Sequence, residues 1–217
     1  MPPAIVFDLD GTLIDSAPDI QGIANRLLAG AGAAPLDLDE VRAFIGNGMS
    51  VFVARMRAAR GIPDSDHAGL LAGFTEAYDE AVHLTQPYPG VASALAALSG
   101  SGCRLGICTN KPVRPARAVL HHLGLSHHFA AILGGDSLPQ RKPDPAPLLA
   151  GFEALGGGAR RIYVGDSEVD AETAQRAGVP FLLFTRGYRK APVAEIPHSA
   201  AFDDFAELPA LVAASLG

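Results

Sequence analysis

The 217-residue sequence has no tryptophan, two cysteines, three methionines and only 6% aromatic residues. Each shortage excludes something. Cys103 and Cys108 lie around one apolar run with no partner pair, so neither a zinc site nor a disulfide framework is expected, and a reduced, cytoplasmic protein is favoured. Met1-Pro2-Pro3 leads straight into an apolar segment, with no basic stretch and no small-residue cleavage site, so no signal peptide is expected. The longest uncharged stretch, 84–103, is interrupted by Pro87, Pro89, Gly90, Gly100 and Gly102, which rules it out as a membrane span. Basic clusters are missing as well. With 17 basic against 23 acidic residues and a net charge of −6, the chain lacks the surface that nucleic-acid phosphates require.

What is present is a hydrophobic content of 48%, carried largely by alanine, in a chain long enough for one large domain or a domain with an insertion. Short apolar runs at 4–7, 104–108, 130–133, 162–164 and 181–184 read as buried strands. Helical patterns at 92–98, 116–123, 146–155 and 168–177 alternate with the later ones, which predicts an α/β fold with a Rossmann-like parallel sheet. Between about 16 and 87 the strand pattern gives way to helical patterns at 19–28, 38–44, 50–59 and 68–82. The expectation is a catalytic core of residues 1–15 and 88–217 with a helical cap, 16–87, inserted after the first strand. Pro87-Tyr88-Pro89-Gly90 would mark the return to the core, its dihedrals restricted by proline.

The chemistry concentrates where open α/β sheets place their ligands, at the carboxyl ends of strands. The first strand ends in Asp8-Leu9-Asp10-Gly11-Thr12. Alternation along a strand points Asp8 and Asp10 the same way. Two like charges so close resist joint ionisation and call for a cation or a shared proton. A calcium loop is ruled out, because Leu13 and Asp19 stand where an EF-hand needs its glycine and its bidentate glutamate. Thr109-Asn110-Lys111, Lys142-Pro143 and Gly165-Asp166-Ser167 follow later strands. His121-His122 and His127-His128 are adjacent pairs that do not share a helix face, and they read as surface residues.

Asp8-x-Asp10-Gly11-Thr12, Thr109-Asn110, Lys142-Pro143 and Gly165-Asp166-Ser167-x-x-Asp170 stand in the order and approximate spacing of the haloacid dehalogenase superfamily of aspartate-nucleophile phosphatases, which the sequence resembles across essentially its whole length. The resemblance implies that Asp8 attacks phosphorus and Asp10 serves as general acid and base. It implies a Mg²⁺ ion held by Asp8, Asp10 through its carbonyl, and Asp166, and a phosphoryl group held by Thr109, Asn110 and Lys142. Asp170 either holds a metal-bound water or caps the helix that follows Asp166.

Within the superfamily, Asp10 argues against a dehalogenase, which has no leaving alkoxide to protonate. The absence of any lysine in the expected cap argues against a phosphonate-cleaving relative. Ile45-Gly46-Asn47-Gly48, Tyr88-Pro89-Gly90-Val91, Thr109-Asn110-Lys111-Pro112 and Gly187-Tyr188 resemble the phosphoglycolate phosphatase family. The substrate so implied is a small phosphate ester, 2-phosphoglycolate, with another small ester, a sugar-phosphate mutase reaction or a non-catalytic phosphate-binding role as the alternatives. Arg42, Asn47 and Arg55 are the cap candidates for recognising its carboxylate.

Overall fold

The computed structural model describes residues 2–79 and 81–216. The elements in chain order are β1 (Ala4–Phe7), β2 (Ile14–Asp15), α1 (Ala17–Gly30), α2 (Leu38–Phe44), α3 (Met49–Ala59), α4 (His67–Tyr78), β3 (Gln86–Pro87), α5 (Val91–Gly100), β4 (Arg104–Cys108), α6 (Val113–His122), β5 (Phe129–Leu133), α7 (Ala146–Ala154), β6 (Arg161–Gly165), α8 (Glu168–Ala177), β7 (Phe181–Phe184), β8 (Ala200–Phe202) and α9 (Leu208–Leu216).

Six strands form one parallel sheet in the order β5-β4-β1-β6-β7-β8. Alternation decides its faces. Ile5 and Phe7 of β1, Ile162 and Val164 of β6, and Leu182 and Phe184 of β7 join one apolar cluster with Val91, Leu95, Val119, Leu120 and Val212 from α5, α6 and α9. Ala4, Val6, Tyr163, Phe181 and Leu183 join the other, against Leu148 and Phe152 of α7 and Ala171 and Ala174 of α8. Burial on both faces is why these strands read as continuous apolar runs. β1 lies between β4 and β6, so the ends of all three adjoin.

Residues 9–14 make a tight turn in which the N–H groups of Thr12, Leu13 and Ile14 all reach the Leu9 carbonyl. β2 then pairs antiparallel with β3, and this two-stranded ribbon leads into and out of the helical insertion. The insertion has an apolar cluster in which Ile20, Ile23, Leu28, Val41, Val53 and Met56 join the mutually tilted rings of Phe52, Phe74 and Tyr78, with Tyr188 entering it from the core. α2 starts on a capping box in which Asp37 accepts from the Glu40 N–H and Glu40 from the Asp37 N–H.

Differences from the expected elements are local. β8 has three residues, of which only Phe202 is buried, and such an edge strand carries no long apolar run. β2 and β3 have two residues each and were equally invisible to periodicity. The apolar pattern at 68–82 overshoots α4, which ends at Tyr78, and its Glu80 lies outside the described residues. α9 was also unexpected, being too uniformly apolar and alanine-rich for an amphipathic pattern.

Candidate active site

Asp8 follows β1 directly, Thr109 follows β4, and Asp166 follows β6, so the parallel register brings all three to one sheet edge. Asp8, Asp166 and Asp170 each offer a carboxylate oxygen, and these oxygens lie within 4.8 Å of one another. All three residues are buried. Lys142 reaches into the group, with its Nζ 2.9 Å from Asp8 Oδ1 and 2.7 Å from Asp170 Oδ1. The contact with Asp8 is close enough for an ion pair but is not aligned as a hydrogen bond, and Asp8 Oδ1 has no hydrogen-bond partner among the described residues.

The cluster is electrostatically unsettled. Burial pushes the Asp8 carboxyl up to about 7 against the pull of Lys142. Burial, with Asp170 and Asp8 close by, holds the Asp166 carboxyl well above the usual range. Burial would also raise Asp170, but the Lys142 ammonium and hydrogen bonds from Lys142, Ser167 and Tyr163 bring it below its ordinary value. Lys142 itself would be lowered by burial, yet Asp170 and Asp8 hold it above the usual lysine range. Three carboxylates, of which only Asp8 and Asp170 meet the one ammonium, form an all-oxygen donor set that fits a hard divalent cation.

The surroundings shape that set. Thr12 Oγ1 donates to Asp166 Oδ1 at 2.7 Å, and the Tyr188 N–H donates to Asp166 Oδ2 at 2.5 Å. Gly11 has a φ of 88°, a left-handed value suited to glycine, and a Cβ on it would lie 2.6 Å from Asp166 Oδ2. A Cβ on Gly187 would overlap the Asp166 side chain and the Gly11 carbonyl. Both glycines therefore leave room for the Asp166 carboxylate.

Asp170 does more than one thing. Its Oδ2 accepts from the Ser167 hydroxyl at 2.6 Å and N–H at 3.1 Å, completing a capping box at the start of α8. Its Oδ1 accepts from Lys142 Nζ and from Tyr163 Oη, each at 2.7 Å. Asn110 is likewise occupied. Its amide donates to the Lys142 and Gly46 carbonyls at 3.0 Å, and its Oδ1 accepts from the Lys142 N–H at 3.1 Å. Its backbone N–H is the remaining donor for an anion. Thr109 Oγ1 accepts from the Lys111 N–H at 3.2 Å, which leaves the hydroxyl proton to donate.

Asp10 accepts from the Ser16 hydroxyl at 2.6 Å and faces Lys111 Nζ at 3.2 Å. Asp8, Asp10, Thr109 and Asn110 line one cavity of about 50 Å³ with Ile20, Ile45, Gly46, Met49, Phe52, Phe74, Tyr78 and Lys111. Arg42, Asn47 and Arg55 are not among its lining residues. Arg42 pairs with Asp15 at 3.0 Å. Arg55 donates to Asn47 Oδ1 at 2.9 Å and to the Phe44 carbonyl at 3.0 Å, so the two brace the Gly46–Gly48 loop.

Two residues in the site escaped the sequence reading. Lys111 is buried, and its charge is sustained by Asp10 and Tyr78 against the lowering effect of burial. Tyr188 donates to Asp15 Oδ1 at 2.6 Å and accepts from the N–H groups of Ser16 and Ala17 at 2.9 and 3.1 Å, tying the sheet edge to the first turn of α1. Their signals were present in the Thr109-Asn110-Lys111 and Gly187-Tyr188 motifs, but nothing in the sequence said where the side chains go.

The model of the haloacid dehalogenase-like hydrolases matches residues 5–184. A phosphoglycolate phosphatase of Cereibacter sphaeroides is 53% identical over 213 residues, 97% of each chain. One from Rhodobacter capsulatus is 45% identical over 98% of this chain and 97% of its own. The crystal structure of a predicted phosphoglycolate phosphatase from Haemophilus somnus superposes with a TM-score of 0.90 at 32% identity, covering 97% of both chains. With its carboxylates at adjoining strand ends and its lysine set among them, the chain belongs to the haloacid dehalogenase-like hydrolases.

Proposed function

We propose that the chain is a Mg²⁺-dependent phosphomonoesterase that hydrolyses 2-phosphoglycolate to glycolate and phosphate through an aspartyl-phosphate on Asp8. The observation that carries this reading is Asp8 itself. It is buried at the end of the central strand, keeps one oxygen free of hydrogen bonds, and lines the same cavity as Thr109 and Asn110. The names borne by relatives at 45–53% identity support the choice of substrate.

Asp8 and Asp166, with the Asp10 carbonyl, would hold the Mg²⁺. When bound, the ion supplies charge neutralisation that lets an anionic nucleophile approach an anionic phosphoryl group. Lys142, fixed by Asp170 and Asn110, supplies a point charge to the phosphoryl oxygens. The Thr109 hydroxyl and the Asn110 N–H donate to them as well. Asp8 forms the new bond to phosphorus as the ester oxygen leaves, and Asp10 protonates that oxygen. Asp10 then takes a proton from the water that attacks the aspartyl-phosphate, releasing phosphate and restoring Asp8.

Residues 16–87 act as a cap over a core formed by 1–15 and 88–217, closing on the substrate and limiting water. Their apolar cluster, which among its buried members takes only Tyr188 from the core, and the β2–β3 ribbon at their base support that division. Free Cys103 and Cys108 agree with a cytoplasmic enzyme, and no described helix is long and apolar enough to cross a membrane. The test is phosphate release from a panel of small phosphomonoesters with Mg²⁺. 2-Phosphoglycolate should give the highest kcat/KM, and a preference for a hexose phosphate or pyrophosphate would overturn the substrate.

A further inference from the structure

The cavity in front of Asp8 is apolar on the side of the helical insertion, where Ile20, Met49, Phe52 and Phe74 line it. Asp8 and Asp10 line the opposite side, so a second negative charge on a ligand meets repulsion everywhere except near a cation. Lys111 is the one basic residue among the lining residues. Lys190 lines an adjoining cleft that shares Asp8, Asp10, Ile45 and Gly46 with this cavity, but it lies on the side of Asp166 and Glu168.

Lys111 does not stand alone. Its Nζ lies 2.8 Å from Tyr78 Oη and 4.2 Å from the centre of the Tyr78 ring. An ammonium has three donors. One serves Tyr78 and one serves Asp10 Oδ1 at 3.2 Å, while the third makes only a long contact with Asp10 Oδ2 at 3.5 Å, which a ligand oxygen can replace. Tyr78 Oη accepts from Lys111 and has no acceptor for its own proton among the described residues. A weakly held ammonium donor from the sheet edge and an uncommitted hydroxyl donor from α4 thus lie side by side in a cavity with room for only a few water-sized groups.

We infer that Lys111 and Tyr78 together form the specificity site for the carboxylate at the non-transferred end of the substrate. The inference rests on the phosphoglycolate reading above. Two adjacent donors match the two oxygens of one carboxylate, and charge-assisted hydrogen bonds are the stronger kind. An ester of equal length that ends in a hydroxyl offers these two donors a single uncharged oxygen, and sites built around such donors discriminate strongly against the analogue lacking the acceptor. A carboxylate held there also spans the core and the insertion, so only the correct substrate ties the two together.

The experiment compares kcat/KM for 2-phosphoglycolate and 2-phosphoethanol in the wild type, Lys111→Met and Tyr78→Phe, each with Mg²⁺ and each checked for folding by circular dichroism. The wild type should favour 2-phosphoglycolate by at least about 10²-fold. Lys111→Met should shrink that ratio about 10²-fold, and Tyr78→Phe about tenfold. A ratio unchanged in both variants, even where both rates fall together, overturns the inference and makes Lys111 a positioning residue for Asp10. Tyr78→Phe leaves the Lys111–Asp10 pair in place, so it decides the matter where Lys111→Met does not fold. A wild type that shows no preference for the carboxylate overturns the substrate reading itself, which is a separate result.

Discussion

Lys142 Nζ lies 2.7 Å from Asp170 Oδ1 in a site where the lysine side chain is 2% exposed and the carboxylate not at all. This contact explains why the last acidic residue of the fourth motif matters. Asp170 fixes the lysine that faces Asp8, and with its other oxygen it starts α8. Breaking one side of a buried pair typically costs about 3–5 kcal/mol. Asp170→Ala should lower the urea-unfolding free energy by that order and cut kcat about 10²-fold through misplacement of Lys142. Wild-type stability and turnover in this variant would show that Lys142 needs no such support.

The raised carboxyls give a pH dependence whose sign follows from linkage. Asp8 rises from an ordinary 3.8 to about 7 in the folded protein, so folding favours its protonated form. Its contribution to stability is fully present below about pH 4 and is lost as pH rises toward 7, with Asp166 acting in the same direction. Metal-free protein should therefore melt at a lower temperature at pH 8 than at pH 5.5. Mg²⁺ at about 100 times its pH 8 Kd should add about 2.7 kcal/mol at pH 8, and the same concentration should add less at pH 5.5, where protons compete for the carboxylates. Asp8→Asn should raise the melting temperature of the metal-free protein at pH 8. Thermal scans at both pH values, with Mg²⁺ or with chelator, check all three statements.

Gly187 shows how little space the Asp166 carboxylate has. A single methyl there would overlap Asp166 and the Gly11 carbonyl, so Gly187→Ala must displace the carboxylate or the backbone that supports it. The expected result is about a 10–100-fold loss of Mg²⁺ affinity, the range seen when groups that orient metal ligands are disturbed. Isothermal titration of Mg²⁺ into the variant measures it, and unchanged affinity would remove Asp166 from the metal site.

Tyr188 joins the sheet edge to the entry of the helical insertion through three hydrogen bonds on one hydroxyl. Tyr188→Phe keeps the ring, strips the Ser16 N–H of its partner and leaves the Ala17 N–H with Asp15 Oδ1 at 3.3 Å, at a cost of about 1–3 kcal/mol. Chemical denaturation should show that loss. Wild-type stability would mean that Asp15 and water replace the hydroxyl fully.

The main elements were legible because their physics is local. β1, β4 and β7 coincide with apolar runs read directly from the sequence, and the helical stretch between the two core segments showed as a break in that pattern. The meeting of Asp8 and Asp166 was legible for a related reason, since each follows a strand and strand ends meet at one edge. Charge partners across distant segments were not legible. Arg42 and Arg55 are cations in the insertion, as a carboxylate site would need, yet Asp15 and Asn47 engage them. Lys111, three residues past β4, turns out to meet α4 through Tyr78, a contact between positions 33 residues apart that only the folded chain reveals. The short ribbon of β2 and β3 leaves no periodic trace at all.

The claim on which everything else depends is that Asp8 becomes phosphorylated during turnover. Rapid mixing of the enzyme with 2-phosphoglycolate and Mg²⁺, an acid quench within the first turnover, and borohydride reduction convert an aspartyl-phosphate to homoserine, which peptide mass spectrometry locates. Homoserine at position 8, absent when Asp8→Asn is treated in the same way, is the result predicted. Turnover with an unmodified peptide spanning Asp8, or with label on another residue, would contradict the account.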